Sequence, residues 1–326
     1  MNGVPTVPTL SSVPNTTYQF SVPADVVGMR IDKYITQIMP HYSRTFVQML
    51  IQKGCITING TAIGKTSIQT KASDTVSVHV PEIRSVDPEA LKQAAGGIEI
   101  LLEHEHFLVL NKPAGLLVHP PTKTSSAPTL VDWLVAHSKA ATANSPERSG
   151  IVHRLDRDTS GVIIIARTPY AHMVFSKLFK DRAITKKYLA IVHGSTPDTF
   201  AIDSFIGRDP ITKIRMATLE NTAHTKRTAA QAKFRSALTH VTTLERYNGY
   251  SLVEAQPVTG RTHQIRIHLQ SAGYPIVGDL VYHASSEHIT RQALHAHSIA
   301  FTFDEKEYCV QAPLPDDMKQ LVVFIK

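Results

Sequence analysis

The chain has 326 residues, a length typical of about two domains, and carries a formal charge of +7 with a pI near 9.3. Hydrophobic residues make up 42% and charged residues 19% of it, which argues against disorder throughout, and no apolar run approaches the ~20 residues that cross a bilayer. The start of the chain lacks the pattern of a secretory signal, and two cysteines, Cys55 and Cys309, are too few for a disulfide framework or a zinc knuckle. We therefore expect a soluble, cytoplasmic protein with a polyanionic partner.

The first third of the chain predicts a small α+β unit. Residues 1–17 are rich in Pro, Ser, Thr and Asn and predict a flexible tail. Apolar residues at helical spacing then predict one helix over 30–39 and a second over 44–53. The segment CITINGTAI (55–63) predicts a hairpin closed by an Asn-Gly turn, and a further strand is expected over 75–80.

Basic residues are concentrated in two stretches. Residues 33–73 contain five Lys or Arg and no acid, and residues 208–235 contain seven basic residues and two acids. Either stretch alone is compatible with a solvated surface. Together they favour a nucleic-acid partner.

The unit over 18–81 resembles the S4 RNA-binding domain. The resemblance rests on RIDKYI and on SRTFVQMLIQKGCITING, which combine a basic second helix with the hairpin. It implies that this unit binds RNA, with Arg44 and Lys53 among the contacts. The alternative is any small α+β domain with a basic face.

A linker is predicted over 82–97, and the composition changes after it. Short β-branched runs such as FLVLNKP, GVIIIAR and YLAIVHG alternate with helical stretches over 129–137 and 171–181. Strands mixed with helices in this way predict one large α+β domain over 98–326, built on a mainly antiparallel sheet.

The segment HRLDRDTSG (153–161) is the densest cluster of reactive side chains and precedes a buried-strand run. A carboxylate flanked by arginine is held ionised, which suits a nucleophile or an electrostatic stabiliser. The alternative is a structural turn in which Asp158, Thr159 and Ser160 cap the backbone. We expect Asp158 and Ser160 to do so, whereas Asp156 has no evident part in such a turn. A kinase loop is excluded because Leu155 separates Arg from Asp, and no His-Glu-x-x-His zinc motif is present.

Two further segments carry candidate site residues. PVTGRTHQIRIH (257–268) presents a row of donors suited to phosphate or to a carboxylate. It is either an RNA-contact strip or the source of a buried partner, Arg261, for Asp156. In ITKKYLAIVHG, Tyr188 follows two lysines, so it is either a packing residue or a ring that stacks on a base.

Five motifs in order resemble the RluA-type pseudouridine synthases. They are NKPAGLLVHP, HRLDRDTSG, KKYLAIVHG, TGRTHQIRIHL with YPIVGDLVY, and RQALHAHSIAF. The preceding S4-like unit and the last motif are most similar to the RluD branch of that family, which acts on large-subunit ribosomal RNA. The resemblance implies the pseudouridine synthase fold and isomerisation of uridine in a structured RNA.

Residue by residue, the resemblance implies a complete site. Asp156 would be the nucleophile, attacking either the base or the ribose, unless it instead abstracts a sugar proton, and Arg261 would pair with it. Tyr188 would stack on the target base and serve in removing its C5 proton, and Arg154 would fill the gap left in the RNA. No cofactor or metal is implied, and a monomer is expected. The alternatives are the same chemistry on transfer RNA and a non-catalytic ribosome assembly factor.

Overall fold

The protein is described from a computed structural model, which covers residues 16–40, 42, 44–80, 86–121, 125–137, 150–209, 212, 215–219, 234–282 and 284–326. The predicted tail up to residue 15, linker residues 82–85 and most of the basic stretch 208–235 lie outside these described residues. By its contacts the chain divides into two compact units. The N-terminal unit comprises the described residues of 16–87 and 120–127, and the C-terminal unit those of 88–119, 128–141 and 150–326.

The N-terminal unit is an antiparallel sheet with two helices. Its strands run in the order β1-β4-β2-β3, with bounds β1 Thr16–Ser21, β2 Ile56–Ile58, β3 Thr61–Ala62 and β4 Thr75–Val80. The helices are α1 Ile31–Ile38 and α2 Arg44–Gln52. Both predicted helices and the hairpin are therefore confirmed. Asn59 and Gly60 have φ of 50° and 79°, the positive values that a tight hairpin turn of this kind requires.

The core of this unit lies between the helices and the sheet. Ile35, Leu50, Ile51, Ile56 and Val78 are each at most 1% exposed. Removing an aliphatic side chain of this size from water stabilises the fold by about 1.5–3 kcal/mol. Strand β1 pairs with β4 over its whole length, so the chain is already ordered at the end of the predicted tail.

The C-terminal unit is built on one large sheet. Its strands run in the order β10-β9-β11-β12-β8-β13-β7-β6-β5, and β14 pairs with β13. Their bounds are β5 Glu99–Glu103, β6 Phe107–Lys112, β7 Ser160–Ala166, β8 Thr185–His193, β9 Thr199–Arg208, β10 Met216–Thr218, β11 Arg235–Tyr247, β12 Tyr250–Pro257, β13 Leu294–Phe303 and β14 Lys306–Gln311. Among the described strands only β13 and β7 pair in parallel, which confirms the predicted α+β class and mainly antiparallel sheet.

Five helices in the described part of this unit pack around the sheet. They are α3 Pro88–Ala95, α4 Leu130–His137, α5 Pro169–Lys180, α6 Gln264–Ser271 and α7 Asp316–Ile325. The predicted helices over 129–137 and 171–181 correspond to α4 and α5. No helix in the described residues is long and apolar enough to cross a membrane.

Helix α3 corrects the prediction of a linker over 82–97. Residues 88–95 form a regular helix instead. The helix is stabilised by a tertiary contact, because Ala95, only 3% exposed, packs into a cluster with Leu130 and Leu134 of α4. This tertiary contact supports a segment whose composition alone is typical of a connection.

Strand β7 positions the site because it is buried along its whole length. Ile163 and Ile165 pack into the cluster that includes α4, whereas Val162 and Ile164 pack into the cluster that includes α5. At its start Gly161 has φ of 112°, and a Cβ there would lie 2.2 Å from the carbonyl oxygen of β13 residue Ala296. Only glycine allows this close approach of β7 to β13, which fixes the position of the loop that precedes β7.

Candidate active site

A cavity of about 470 Å³ is lined by the loop before β7, the start of β8 and the loop that leads into α6. Asp156 is the one carboxylate among the described residues that line it. The cationic lining residues are Arg154, Lys180, Arg182, Lys186, Arg261 and Arg266. A concave, basic surface around a single carboxylate suits a polyanionic substrate and a reactive acid.

Asp156 lies at one end of an ionic triad. Its Oδ2 accepts a hydrogen bond from Nη1 of Arg266 at 3.0 Å, and its side chain is 21% exposed. Asp279 accepts from Nε and Nη2 of the same guanidinium at 2.7 and 2.8 Å. Arg266 and Asp279 are 5% and 1% exposed. The bidentate grip of Asp279 fixes the arginine so that its remaining nitrogen faces Asp156.

The charge of Arg266 is permanent. Burial disfavours the charged guanidinium, but the hydrogen bonds and charge of Asp279 and the charge of Asp156 outweigh that effect and raise the pKa of Arg266 above its ordinary value. Asp156 therefore has a cationic partner at every physiological pH.

The expectation that Arg261 pairs with Asp156 is wrong. Arg261 also lines the cavity, but its Nε donates to the carbonyl of Ser236 at 3.4 Å and the residue is exposed. The reason is the start of α6. The side-chain oxygen of Gln264, the first residue of the helix, accepts hydrogen bonds from the Thr259 hydroxyl and the Arg261 amide. These bonds fix the backbone of the loop before α6. The first helical turn then directs Arg266 inward.

His263 is a neighbour of the triad that the sequence analysis did not single out. Its Nε2 lies 3.9 Å from Oδ2 of Asp156, and its Nδ1 lies 3.2 Å from the hydroxyl of Tyr282. Burial lowers the pKa of His263, with the charge of Asp156 acting in the opposite direction. Tyr282 also faces the guanidinium of Arg266 at 5.4 Å. The motif YPIVGDLVY contained this tyrosine and Asp279, but no local pattern indicates their partners.

Tyr188 lies on β8 and lines the same cavity as Asp156, as the predicted site requires. Burial and the nearby charge of Asp156 raise the pKa of the Tyr188 phenol above its ordinary value. The ring is therefore neutral in the free protein, which suits stacking on a nucleobase.

Two buried basic side chains, Lys112 and Arg291, hold the loop that carries Asp156. The Nζ of Lys112 donates to the carbonyl of Arg157 at 3.0 Å and to two carbonyls of the turn after β6. Burial lowers the pKa of Lys112 to about 7. Arg291 donates to the carbonyl of Asp158 at 3.1 Å and pairs with Asp317 of α7 at 2.6 and 2.8 Å. The first and last sequence motifs thus support the central one.

The residues on either side of Asp156 have different surroundings. Arg154 is exposed and lines the cavity, so its guanidinium is accessible to a ligand there. His153 accepts a hydrogen bond from the amide of Ile164 at 2.8 Å. Burial and the charge of Lys186 lower the pKa of His153 to about 3, so this ring is neutral and structural.

The turn after Asp156 differs from the expected capping arrangement. The amide of Thr159 donates to the carbonyl of Asp156 at 3.2 Å. The Asp158 carboxylate accepts from Arg157, and the hydroxyl of Ser160 bonds to Nδ1 of His295 at 2.9 Å. A backbone turn, rather than capping side chains, shapes the loop.

The N-terminal unit contains the other predicted contacts. Arg44 donates to the buried carboxylate of Asp32 at 2.8 Å, together with Arg30 at 3.1 Å and Gln48 at 2.7 Å. Burial opposes ionisation of Asp32, but these donors outweigh it and lower the pKa of the carboxyl. The side chains of Arg30 and Arg44 remain 41% and 44% exposed. Lys53 is exposed just after α2.

Comparison with known proteins agrees with both parts of this architecture. The family model for RNA pseudouridylate synthase matches residues 106–271, and the S4 domain model matches residues 29–76. The ribosomal large subunit pseudouridine synthase D of Nitrosomonas europaea is 32% identical over 95% of this chain and 88% of its own length. The uncharacterized RNA pseudouridine synthase YlyB of Bacillus subtilis is 37% identical over 90% of this chain and 93% of its own length.

Solved structures show the same fold. Human RNA pseudouridylate synthase domain containing 4 matches 73% of this chain and 94% of its own chain, with a TM-score of 0.54 and 23% identity. Human RNA pseudouridylate synthase domain containing 1 matches 74% of this chain and 97% of its own, with a TM-score of 0.50 and 25% identity. The chain therefore belongs to the RNA pseudouridylate synthase family and carries an S4 domain ahead of the synthase domain.

Proposed function

We propose that this protein converts specific uridines to pseudouridine in large-subunit ribosomal RNA, with Asp156 as the nucleophile. The observation that carries the proposal is the Asp156 carboxylate, whose Oδ2 lies 3.0 Å from Nη1 of Arg266 in a cavity where the arginine and lysine side chains outnumber this single carboxylate. The ribosomal target is supported by the relative from Nitrosomonas europaea, whose name specifies the large ribosomal subunit.

The reaction requires a carboxylate that is charged, aimed and accessible. Arg266 is the charged partner of Asp156, and its bidentate contact with Asp279 fixes the orientation of the pair. The side chain of Asp156 is 21% exposed, so the extruded uridine or its ribose can reach it. The bond between N1 and C1′ breaks, and C5 then bonds to C1′. The C5 proton leaves and N1 gains a proton, so uridine and pseudouridine have the same composition.

Extrusion of the uridine from a folded RNA costs a few kcal/mol. Tyr188 offsets part of this cost by stacking on the extruded base, and it assists in removing the C5 proton. Arg154, exposed and beside the reactive loop, occupies the gap left in the RNA. Arg44 and Lys53 of the N-terminal unit contact phosphates. The protein acts as a monomer in the cytoplasm, which sedimentation and cell fractionation test.

Tritium release from RNA labelled at uridine C5 tests the chemistry, because pseudouridine formation expels the C5 hydrogen. We expect wild-type protein to release tritium from large-subunit RNA. Asp156→Asn removes the nucleophile's charge with little change in shape and is expected to reduce release by about 10⁴-fold or more.

Asp158→Asn is the matched control. Asp158 lies in the same loop, but its carboxylate is paired with Arg157, so its loss is expected to change release only slightly. Bulk transfer RNA is offered separately, and release from transfer RNA alone would overturn the ribosomal target. Binding of large-subunit RNA without any release would instead indicate a non-catalytic assembly factor.

A further inference from the structure

Lys186 occupies a place in the cavity for which the site described so far has no role. It lies two residues before Tyr188 on β8, so both side chains project from the same face of the strand. Both line the cavity that contains Asp156. His153, whose pKa is lowered by the charge of Lys186, lines the same cavity.

This ammonium has no anionic partner in the part of the chain that the structure describes. Its Nζ makes one long hydrogen bond, 3.5 Å to the carbonyl of Thr259, and no carboxylate of the described residues forms an ion pair with it. The next residue on the strand, Lys187, faces the other way and pairs with Glu254 at 3.0 Å. Burial lowers the pKa of Lys186, as expected for a cation without a counter-charge.

A partly buried, unpaired cation is unfavourable in the free protein. It becomes favourable when an anion arrives within hydrogen-bond distance in a site from which water is excluded. The carboxylate of the cavity, Asp156, is already bound by Arg266. The substrate is then the source of an anion for Lys186.

We propose that Lys186 is a further catalytic residue, whose ammonium donates a hydrogen bond to a carbonyl oxygen of the uracil ring and stabilises the negative charge on that ring when the N1–C1′ bond breaks. This inference rests on the proposed function. The electron pair of the broken bond stays with the ring and is shared with its oxygens until C5 bonds to C1′. Lys186 keeps its proton throughout.

This role makes a specific kinetic prediction, because the charge exists only after bond cleavage. Lys186→Met is expected to lower the single-turnover rate of tritium release at saturating enzyme by about 10²- to 10³-fold, the loss typical of one donor to a developing anion. RNA affinity, measured by filter binding, is expected to change less than about threefold, the size of one weak contact. Lys186→Arg, which preserves the charge, is expected to restore part of the rate.

Lys187→Met is the matched control on the same strand, and it is expected to stay within about threefold of wild type in both measurements. A normal rate at saturation with weaker binding in Lys186→Met would overturn the proposal and indicate a ground-state phosphate contact. Unchanged rate and affinity would also overturn it and show a solvated lysine. Absence of tritium release from wild type would overturn the proposed function itself, and this role with it.

Discussion

Two buried ionic clusters, one in each unit, are built on opposite plans. In the N-terminal unit a fully buried carboxylate, Asp32, holds Arg30 and Arg44, whose side chains are 41% and 44% exposed. In the C-terminal unit a buried guanidinium, Arg266, holds two carboxylates, of which Asp156 is 21% exposed. In both clusters the buried member has its charge satisfied by short hydrogen bonds.

The difference lies in which charge reaches the solvent. A buried ion that cannot be solvated requires its partners in a defined geometry, so it fixes their position. The N-terminal cluster thereby presents oriented cations, which suit phosphate groups. The C-terminal cluster presents an oriented carboxylate, which suits nucleophilic attack. The same physical device therefore suits phosphate binding in one unit and nucleophilic attack in the other.

The largest expected effect comes from removing the buried cation of the C-terminal cluster. Arg266→Met leaves Asp279 as a buried charge without compensation, which is expected to lower the free energy of unfolding by about 3–5 kcal/mol. Tritium release is expected to fall with it, because Asp156 loses its partner. Urea unfolding and the release assay measure the two effects.

Arg261→Met is the control for that variant, since Arg261 is exposed and holds one long hydrogen bond. Its free energy of unfolding is expected to stay within about 0.5 kcal/mol of wild type. Equal destabilisation by the two variants would contradict the assignment of Arg266 as the ionic partner.

The two units are expected to lose stability in different ranges of acidic pH. Burial lowers the pKa of His268 and of His295, each to about 4, whereas the unfolded value is about 6.5. The unfolded state then binds more protons between these values, so stability present above pH 6.5 is lost as the pH falls towards 4. Each of these two histidines contributes up to about 1.4 kcal/mol per pH unit, and His153, with a pKa of about 3, acts in the same direction. Asp32 has a lowered pKa, so the N-terminal cluster loses stability only below about pH 4.

The single tryptophan, Trp133, lies in α4 and reports on the C-terminal unit. The free energy of unfolding, measured in urea by Trp133 fluorescence, is expected to fall as the pH decreases below 6.5. Hydrogen exchange of the α1 and α2 amides is expected to change little over the same range. His268→Gln is expected to reduce the pH slope by about one proton. Simultaneous loss of both units between pH 6.5 and 4 would contradict the comparison.

A smaller effect is expected from the buried carboxylate of the N-terminal unit. Asp32→Asn removes a charged acceptor, while Arg30 and Arg44 can turn to water, so we expect a loss of about 1–3 kcal/mol. RNA affinity is expected to weaken because the two guanidinium groups lose their orientation. Asp25→Asn, at an exposed site, is the control with the same change in net charge. Tighter RNA binding by Asp32→Asn at every salt concentration would show that net charge outweighs orientation.

The smallest effect is expected from a single exposed cation. Lys53→Ala is expected to weaken RNA binding severalfold and to lower the slope of log affinity against log salt by about one. Lys306→Ala, at the exposed first residue of β14 in the other unit, is the control. An unchanged slope in Lys53→Ala would remove that residue from the RNA contacts.

Much of the fold follows from local signals in the sequence. Apolar spacing defines α1 and α2, and the Asn59-Gly60 pair defines the hairpin, because both depend on conformational preferences within a few residues. The motifs around Asp156 and Tyr188 likewise indicate site residues, and the structure brings both side chains to one cavity.

Which arginine pairs with Asp156 depends on the tertiary structure. Arg261 and Arg266 are five residues apart and chemically identical, and the contact with Asp156 spans 110 residues of chain. Which of them turns inward depends on where α6 begins and on the hydrogen bonds that Gln264 makes in the loop before it.

Three other features also depend on tertiary contacts. They are the bidentate pairing of Asp279 with Arg266, the hydrogen bond from Lys112 to the loop that carries Asp156, and the Lys186 ammonium, which has no carboxylate partner among the described residues. Sequence by itself indicated α1, α2, α4 and α5, the hairpin, the family and Asp156 as the candidate carboxylate. The tertiary structure alone decided which charges are buried together, because burial and pairing depend on residues brought together from distant parts of the chain.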